Sequence, residues 1–324
     1  MEELWKMIKI TNFDVGQADC FLLHFEKEKK YFNLLIDGAF EKNKIDKLLE
    51  EKLDGKKIQG IVVTHIDSDH ISGILGIARR KFDAINNAFF IFNKFDENLI
   101  SYTQAKDLSN EIQKNFSKNL LIKSYMKNFT EELNREINAK NDIDEILQVN
   151  LMSLGQRKKY DSLNQNVINI SVLAPSQENV KKFMRNWNDE RVNASIINLS
   201  SIVLLLEFDG ITILMSGDGN FVDIGEKLNE IEIKKINLIK AAHHGAKHNN
   251  IRLVEIAKLY KCDEIVFTVS DEYDEKHPSL ELLKGLKEIN SELVLSCSSE
   301  VKDDRLREYL VQTNDIILEG KKDE

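Results

Sequence analysis

Apolar positions in this chain fall in short blocks separated by charged turns, and their spacing alternates between two patterns. Residues 7–13, 20–25 and 31–36 are dense in β-branched and aromatic side chains and predict three strands, the last two joined by the charged turn at 26–30. Residues 46–53 are amphipathic at helical spacing. Residues 58–64 predict a buried strand, 72–78 the start of a helix and 88–92 a further strand. From about residue 99 to 165 charged and amide residues dominate, and apolar ones recur at helical spacing (Ile112, Phe116, Leu120; Phe129, Leu133, Ile137). That segment reads as a mostly helical insertion, either a cap or a docking surface. Strand patterning resumes at 167–173, and the strands 200–207 and 211–215 flank Phe208-Asp209-Gly210, a hairpin signal. Strands at 236–239, 264–269 and 292–295 then alternate with helices at 253–260 and 280–289. Hairpins followed by βα units, twice over, predict two similar halves. Each is a mixed sheet with helices on one face, and the two pack sheet to sheet.

Composition narrows the picture. A chain of 324 residues, 42% apolar and 31% charged, can bury a large core of ordinary globular type. Its formal charge of −9 provides no general basic field for nucleic acid. A polyanionic substrate therefore needs a local patch, a bound metal or a basic partner. Cys20, Cys262 and Cys297 are widely spaced and outside any C-x-x-C, which suits reduced thiols. Residues 1–6 lack a basic stretch followed by an apolar one, and no run approaches membrane-spanning length. The expectation is a cytoplasmic protein with no membrane partner.

Chemistry concentrates in the histidines. Four of the seven lie in two short clusters, His65-Ile66-Asp67-Ser68-Asp69-His70 and His243-His244-Gly245. The first follows a buried strand, so its two imidazoles and two carboxylates stand at a strand's carboxyl edge, an arrangement suited to metal binding. Asp218, in Met215-Ser216-Gly217-Asp218-Gly219, follows another strand; it is either the cap of a tight turn or a carboxylate able to bridge two cations. His243 and His244 can converge on one site if the turn at Gly245 redirects them. His277-Pro278 opens a helix, where a histidine can meet an anion or simply mark the helix start. Lys240 and His248 flank the histidine pair and read as solvated surface residues, with Lys240 also a candidate to steady an anion. His24 reads as structural.

Taken in order, Asp14-Val15-Gly16-Gln17-Ala18-Asp19, Leu34-Leu35-Ile36-Asp37-Gly38, the stretch from Thr64 through His70 to Gly73, Ser216-Gly217-Asp218 and His243-His244-Gly245-Ala246 resemble the successive motifs of metallo-β-lactamase-fold hydrolases. They most resemble the ComEC-type domain of DNA-uptake proteins, whose strand motif is also similar to residues 198–204 and whose late H-P is similar to His277-Pro278. The resemblance covers residues 7–82 and 167–295. It implies an α/β fold, the αββα metallo-β-lactamase sandwich, as a single domain over 1–324 with the insertion at about 99–165. It also implies two divalent metal ions, Zn or Mn. His65 and Asp67 would bind one, Asp69 and His70 the other; Asp218 would bridge, His243 and His244 would complete the set, and Asp37 would orient the site. The chain departs from the family pattern at Asp67, where a histidine is usual, and at Asn198, in the stretch where the family commonly has a histidine. A carboxylate at 67 makes the first site harder and more negative, which makes Mn²⁺ a candidate beside Zn²⁺.

The expected function is a metal-dependent phosphodiesterase, foremost a nuclease with nucleic acid as substrate. A water acidified by the two ions would attack, Asp67 or Asp69 would receive its proton, and His277 or Lys240 would steady phosphoryl oxygens. Two alternatives stand beside it. One is an esterase of small phosphodiesters, like phosphorylcholine esterases. The other is a subunit activated by a protein partner docked on the insertion.

Overall fold

The hairpin register shows why the first sheet forms. In the strands β1 (Lys6–Asn12), β2 (Phe21–Lys27) and β3 (Lys30–Ile36), Leu22 pairs with Leu35 and Leu23 with Leu34. Leu22 and Leu35 belong to the apolar cluster on one face, whereas Leu23 and Leu34 belong to the cluster on the other. Side chains alternate across a pleated strand, so a doubly apolar run is buried on both faces. The structure, a computed structural model, describes residues 6–93, 103–116, 121–122, 130–131, 134, 146–159, 163–164, 167–176, 178–179, 197–270 and 276–319.

Three parallel strands extend the hairpins: β4 (Gly60–Val63), β5 (Phe89–Phe92) and β6 (Leu121–Ile122). The second sheet contains β7 (Val149–Ser153), β8 (Ile168–Ala174), β9 (Val203–Phe208), β10 (Ile211–Met215), β11 (Leu238–Lys240), β12 (Glu264–Phe267), β13 (Val294–Cys297) and β14 (Val311–Gln312). The last strand, β15 (Asp315–Glu319), crosses back to the first sheet and pairs antiparallel with β1. The orders are β15-β1-β2-β3-β4-β5-β6 and β14-β13-β12-β11-β10-β9-β8-β7. β9 and β10 turn through Asp209 and Gly210, both at positive φ, as a two-residue hairpin requires.

Three apolar layers hold this arrangement. Ile10, Phe25 and Ile36 of the first sheet meet Ile170, Leu206 and Ile213 of the second between the sheets. The outer face of the first sheet is covered by α1 (Ile45–Leu53), α2 (Ser68–Arg79) and α3 (Thr103–Asn115). The helices Phe221–Leu228, Leu253–Leu259 and Leu280–Ile289 cover the second. This is the αββα sandwich.

The segment from 99 to 165 contributes to both sheets as well as to the helical layer. Ile112 and Phe116 are buried, and α3 is fastened to α2 by Arg79–Asp107 at 2.7 Å and by Gln104. β6 and β7, both within the segment, are edge strands of the two sheets. Leu120, Phe129, Leu133 and Ile137 lie outside the residues whose side chains are described. Among the described residues, no helix is long and apolar enough to cross a membrane.

Candidate metal centre

The site is built on the carboxyl ends of strands from both sheets. β3 delivers Asp37, β4 leads to Thr64 and His65, β10 to Asp218, and β11 to Lys240, His243 and His244. The first cluster is half loop and half helix. Asp67 is the residue preceding α2, and Asp69 and His70 lie in its first turn, four residues earlier than the apolar pattern alone predicts. Asp67 makes no side-chain cap, so its carboxylate stays available to the site. His243 and His244 both have left-handed backbone (φ 47° and 54°), a conformation uncommon outside glycine and one that redirects adjacent side chains.

These residues converge. Asp218 Oδ2 lies 3.8 Å from His65 Nε2, 3.6 Å from His70 Nε2 and 3.9 Å from His243 Nε2. His65 Nε2 is 3.6 Å from Asp67 Oδ2, His70 Nε2 is 3.7 Å from Asp69 Oδ2, and His244 Nε2 is 3.3 Å from Asp69 Oδ2. Donor atoms of His65, His70 and Asp218 form one compact group and those of Asp69, His70 and His244 a second, each spanning no more than 4.8 Å. Asp67 stands at the mouth, 26% exposed, and Asp69 beside it at 25%.

The other nitrogen of each imidazole is held by the protein. His70 Nδ1 donates to Asp37 Oδ2 at 2.7 Å. His65 Nδ1 is 3.1 Å from Thr64 Oγ1, which donates to the same Asp37 oxygen. His244 Nδ1 donates to Thr268 Oγ1 at 2.8 Å, and that hydroxyl donates to Asp19 Oδ1. His243 Nδ1 is 3.2 Å from Asn249 Oδ1. With each Nδ1 held by the protein, every Nε2 points inward, which is how metal-binding histidines are oriented. The buried Nε2 atoms of His65 and His70 have no hydrogen-bond partner among the described residues. An orphaned buried polar atom is costly, and a cation between these nitrogens and Asp218 removes that cost. The donor set fits a divalent metal.

Electrostatics agree. Burial alone disfavours a charged His70, but the carboxylates of Asp37, Asp218, Asp69 and Asp19 outweigh it and raise the imidazole well above its usual range. Burial also opposes ionised Asp218 and Asp69. For Asp218, His70 and Lys240 overcome it and hold the carboxyl well below the ordinary range; for Asp69, His70 and His244 do so. The pocket demands positive charge. His243, nearer the surface, is lowered, chiefly by burial.

His277 joins the constellation, its ring 5.2 Å from that of His243. Pro278 precedes the N-cap Ser279 of the helix Leu280–Ile289 and so lies outside its first turn. Asn198 occupies the place its sequence position suggests, 3.3 Å from His243 Nδ1. His248 is exposed beside His243, and His24 is tied to Asn33 and Glu26 in a separate cluster. Lys240 is a correction. The expected surface residue is 1% exposed, ion-paired with Asp19 and 3.5 Å from Asp218 Oδ1, because β11 is a central strand buried on both faces. It therefore has no open face toward a substrate. Asp19, Thr268 and Asn249 were not singled out by sequence. Asp19 closes the D-V-G-Q-A-D motif, but nothing local marks the other two.

Residues 13–85 match the metallo-beta-lactamase superfamily. Among solved structures, the chain is similar to the metallo-beta-lactamase fold protein YhfI from Bacillus subtilis, at 12% identity, covering 97% of this chain and 100% of that one with a TM-score of 0.47. It is also similar to a variant of the CmlA beta-hydroxylase, at 11% identity, covering 97% of this chain and 54% of that one with a TM-score of 0.43. No curated protein matches it in sequence. The superfamily match contains His65, Asp67, Asp69 and His70, and the groups around them could hold metal.

Proposed function

We propose that the protein is a metal-dependent hydrolase of phosphodiesters, with nucleic acid as its substrate. The observation that carries this reading is the pair of buried, unpartnered Nε2 atoms of His65 and His70 facing Asp218 Oδ2. His65, His70 and Asp218 would hold one ion, and Asp69 and His244 a second, since the one free lone pair of His70, on Nε2, serves a single ion. Bound divalent ions supply Lewis acidity, which neutralises phosphoryl oxygens and acidifies water.

The chain's own residues do the rest. Asp37 and Thr268 fix the imidazoles, so no side chain reorganises when charge develops. Asp67 borders the opening and belongs to neither compact group, which suits it to accept a proton from an attacking water. His277, half-buried beside His243, suits contact with a phosphoryl or leaving oxygen.

A small diester is the second reading, favoured by the state of the basic runs. Arg79 pairs with Asp107, Arg80 with Asp46, Arg157 with Glu207 and Lys158 with Glu230, so these cations are already neutralised by the protein. Cleavage of single- and double-stranded DNA and RNA with Mn²⁺, Zn²⁺ or EDTA, by wild type and Asp218→Ala, tests the proposal. Metal-dependent cleavage lost in the variant supports a nuclease. Turnover of a small diester with intact polymers moves the reading to the second, and no hydrolysis of either overturns both.

A further inference from the structure

Behind the metal groups lies a charge that the mechanism does not use. The Lys240 ammonium ion-pairs with Asp19, donates to the Gly217 carbonyl at 2.9 Å and stands 3.5 Å from Asp218 Oδ1. Its donors go to Asp19 and the Gly217 carbonyl, and its charge faces Asp218 Oδ1, which accepts no hydrogen bond among the described residues. These three residues come from different halves of the chain. Asp19 precedes β2 in the first half; Gly217 and Asp218 follow β10 in the second.

Asp19, Asp37 and His70 also lie close enough together to receive a cation, yet all three are buried, and Asp19 already carries the lysine. The two oxygens of Asp218 thus have different neighbours. Oδ1 faces Lys240, whereas Oδ2 faces His65, His70 and His243. A carboxylate free to rotate would present either oxygen, or both, to an incoming ion.

We propose that Lys240 is a positioning residue of the metal centre, a resident cation that holds Asp218 Oδ1 inward so that Oδ2 is the oxygen offered to a divalent ion. Asp19 is its counter-charge. The Lys240–Asp19 pair is formally neutral, so it orients the ligand without adding net positive charge beside the ion. Partners that fix the orientation of a metal ligand are a regular part of metal sites. The inference rests on reading the site as a metal centre, but not on which substrate that centre hydrolyses.

The test compares wild type, Lys240→Met and the double variant Asp19→Asn/Lys240→Met. Thermal unfolding of metal-free protein is measured first, then Mn²⁺ and Zn²⁺ affinity by competition with a chromophoric chelator. Lys240→Met leaves Asp19 buried and unpaired, and its metal-free Tm is expected to fall. The double variant removes both charges and is expected to recover most of that fall, so it remains testable if the single variant does not fold. It preserves net charge, and Asn at 19 keeps an acceptor oxygen for the Thr268 hydroxyl that holds His244, so its ion affinity reports the orientation of Asp218; the expected loss is about 10- to 100-fold, the range for residues that orient metal ligands. A double variant with wild-type affinity would make the pair merely structural and overturn the proposal. Wild type that binds metal tightly but hydrolyses no diester overturns the proposed activity and leaves this assignment standing. Wild type that binds neither ion overturns both.

Discussion

One oxygen of Asp37 organises two imidazoles: Oδ2 accepts from His70 Nδ1 at 2.7 Å and from the Thr64 hydroxyl that meets His65. Its other oxygen accepts the Thr64 amide at 2.7 Å. Removing Asp37 should therefore loosen His65 and His70 together. Asp37→Ala is expected to weaken Zn²⁺ or Mn²⁺ binding about 10- to 100-fold. Chelator competition measures it, and unchanged affinity would show that the imidazoles are held by packing alone.

Gly73 fixes the helix that carries Asp69 and His70. A Cβ built at Gly73 would lie 1.8 Å from the Gly38 carbonyl oxygen, next to Asp37. The same junction is made by Gly38 N donating to His70 O and Gly73 N donating to Ala39 O. Gly73→Ala is expected to destabilise the fold by about 1–3 kcal/mol, as overpacking does, and to shift α2 away from Asp37. Urea unfolding should show the lower midpoint, and metal affinity should fall with it; a variant as stable as wild type would contradict the close contact.

Asp315 gives a pH dependence away from the site. Burial opposes its ionised form, but Lys52, Thr11 and Lys9 hold it below its usual value of 3.8. A group whose folded pKa is depressed stabilises the fold above its unfolded pKa, and that contribution disappears as pH falls through the folded value. Asp315→Asn should lower the unfolding midpoint at pH 7, and the gap from wild type should narrow progressively below about pH 4. A gap that stays constant with pH would mean that the carboxylate's charge contributes nothing.

The three cysteines should be silent in the native protein. Burial pushes the thiols of Cys262 and Cys297 up to about 12, and burial beside Asp37 and Asp19 raises Cys20 well above its ordinary range. Thiolate is the reacting form. Iodoacetamide at pH 8 followed by mass spectrometry should leave all three unmodified, and all three should label after denaturation. Labelling of any one in folded protein would contradict its burial.

Much of this arrangement is legible in the sequence where side-chain period and local chemistry coincide. The two halves, the 208–211 hairpin and the histidine clusters follow from residues close together in the chain. What escaped depends on distant partners. β6 and β14 have two residues each, too short to show a period, and β15 is recruited by β1 from the other end of the fold. The start of α2 is hidden because its first turn is made of Ser68, Asp69 and His70, polar residues of which the last two face the site. Lys240 was misread because charge in a sequence suggests solvent, and only the fold reveals Asp19 as its partner.

The return of β15 to pair with β1 also bears on how the protein is made. Residues 315–319 add the outer strand beside residues 7–11, so the first sheet remains incomplete until nearly the whole described chain has been synthesised. Until then β1 is an open edge, able to pair with other strands. Contacts this distant in sequence form slowly and leave such edges exposed to aggregation. During biosynthesis, the second half and β15 together act as the late-arriving guard of the first.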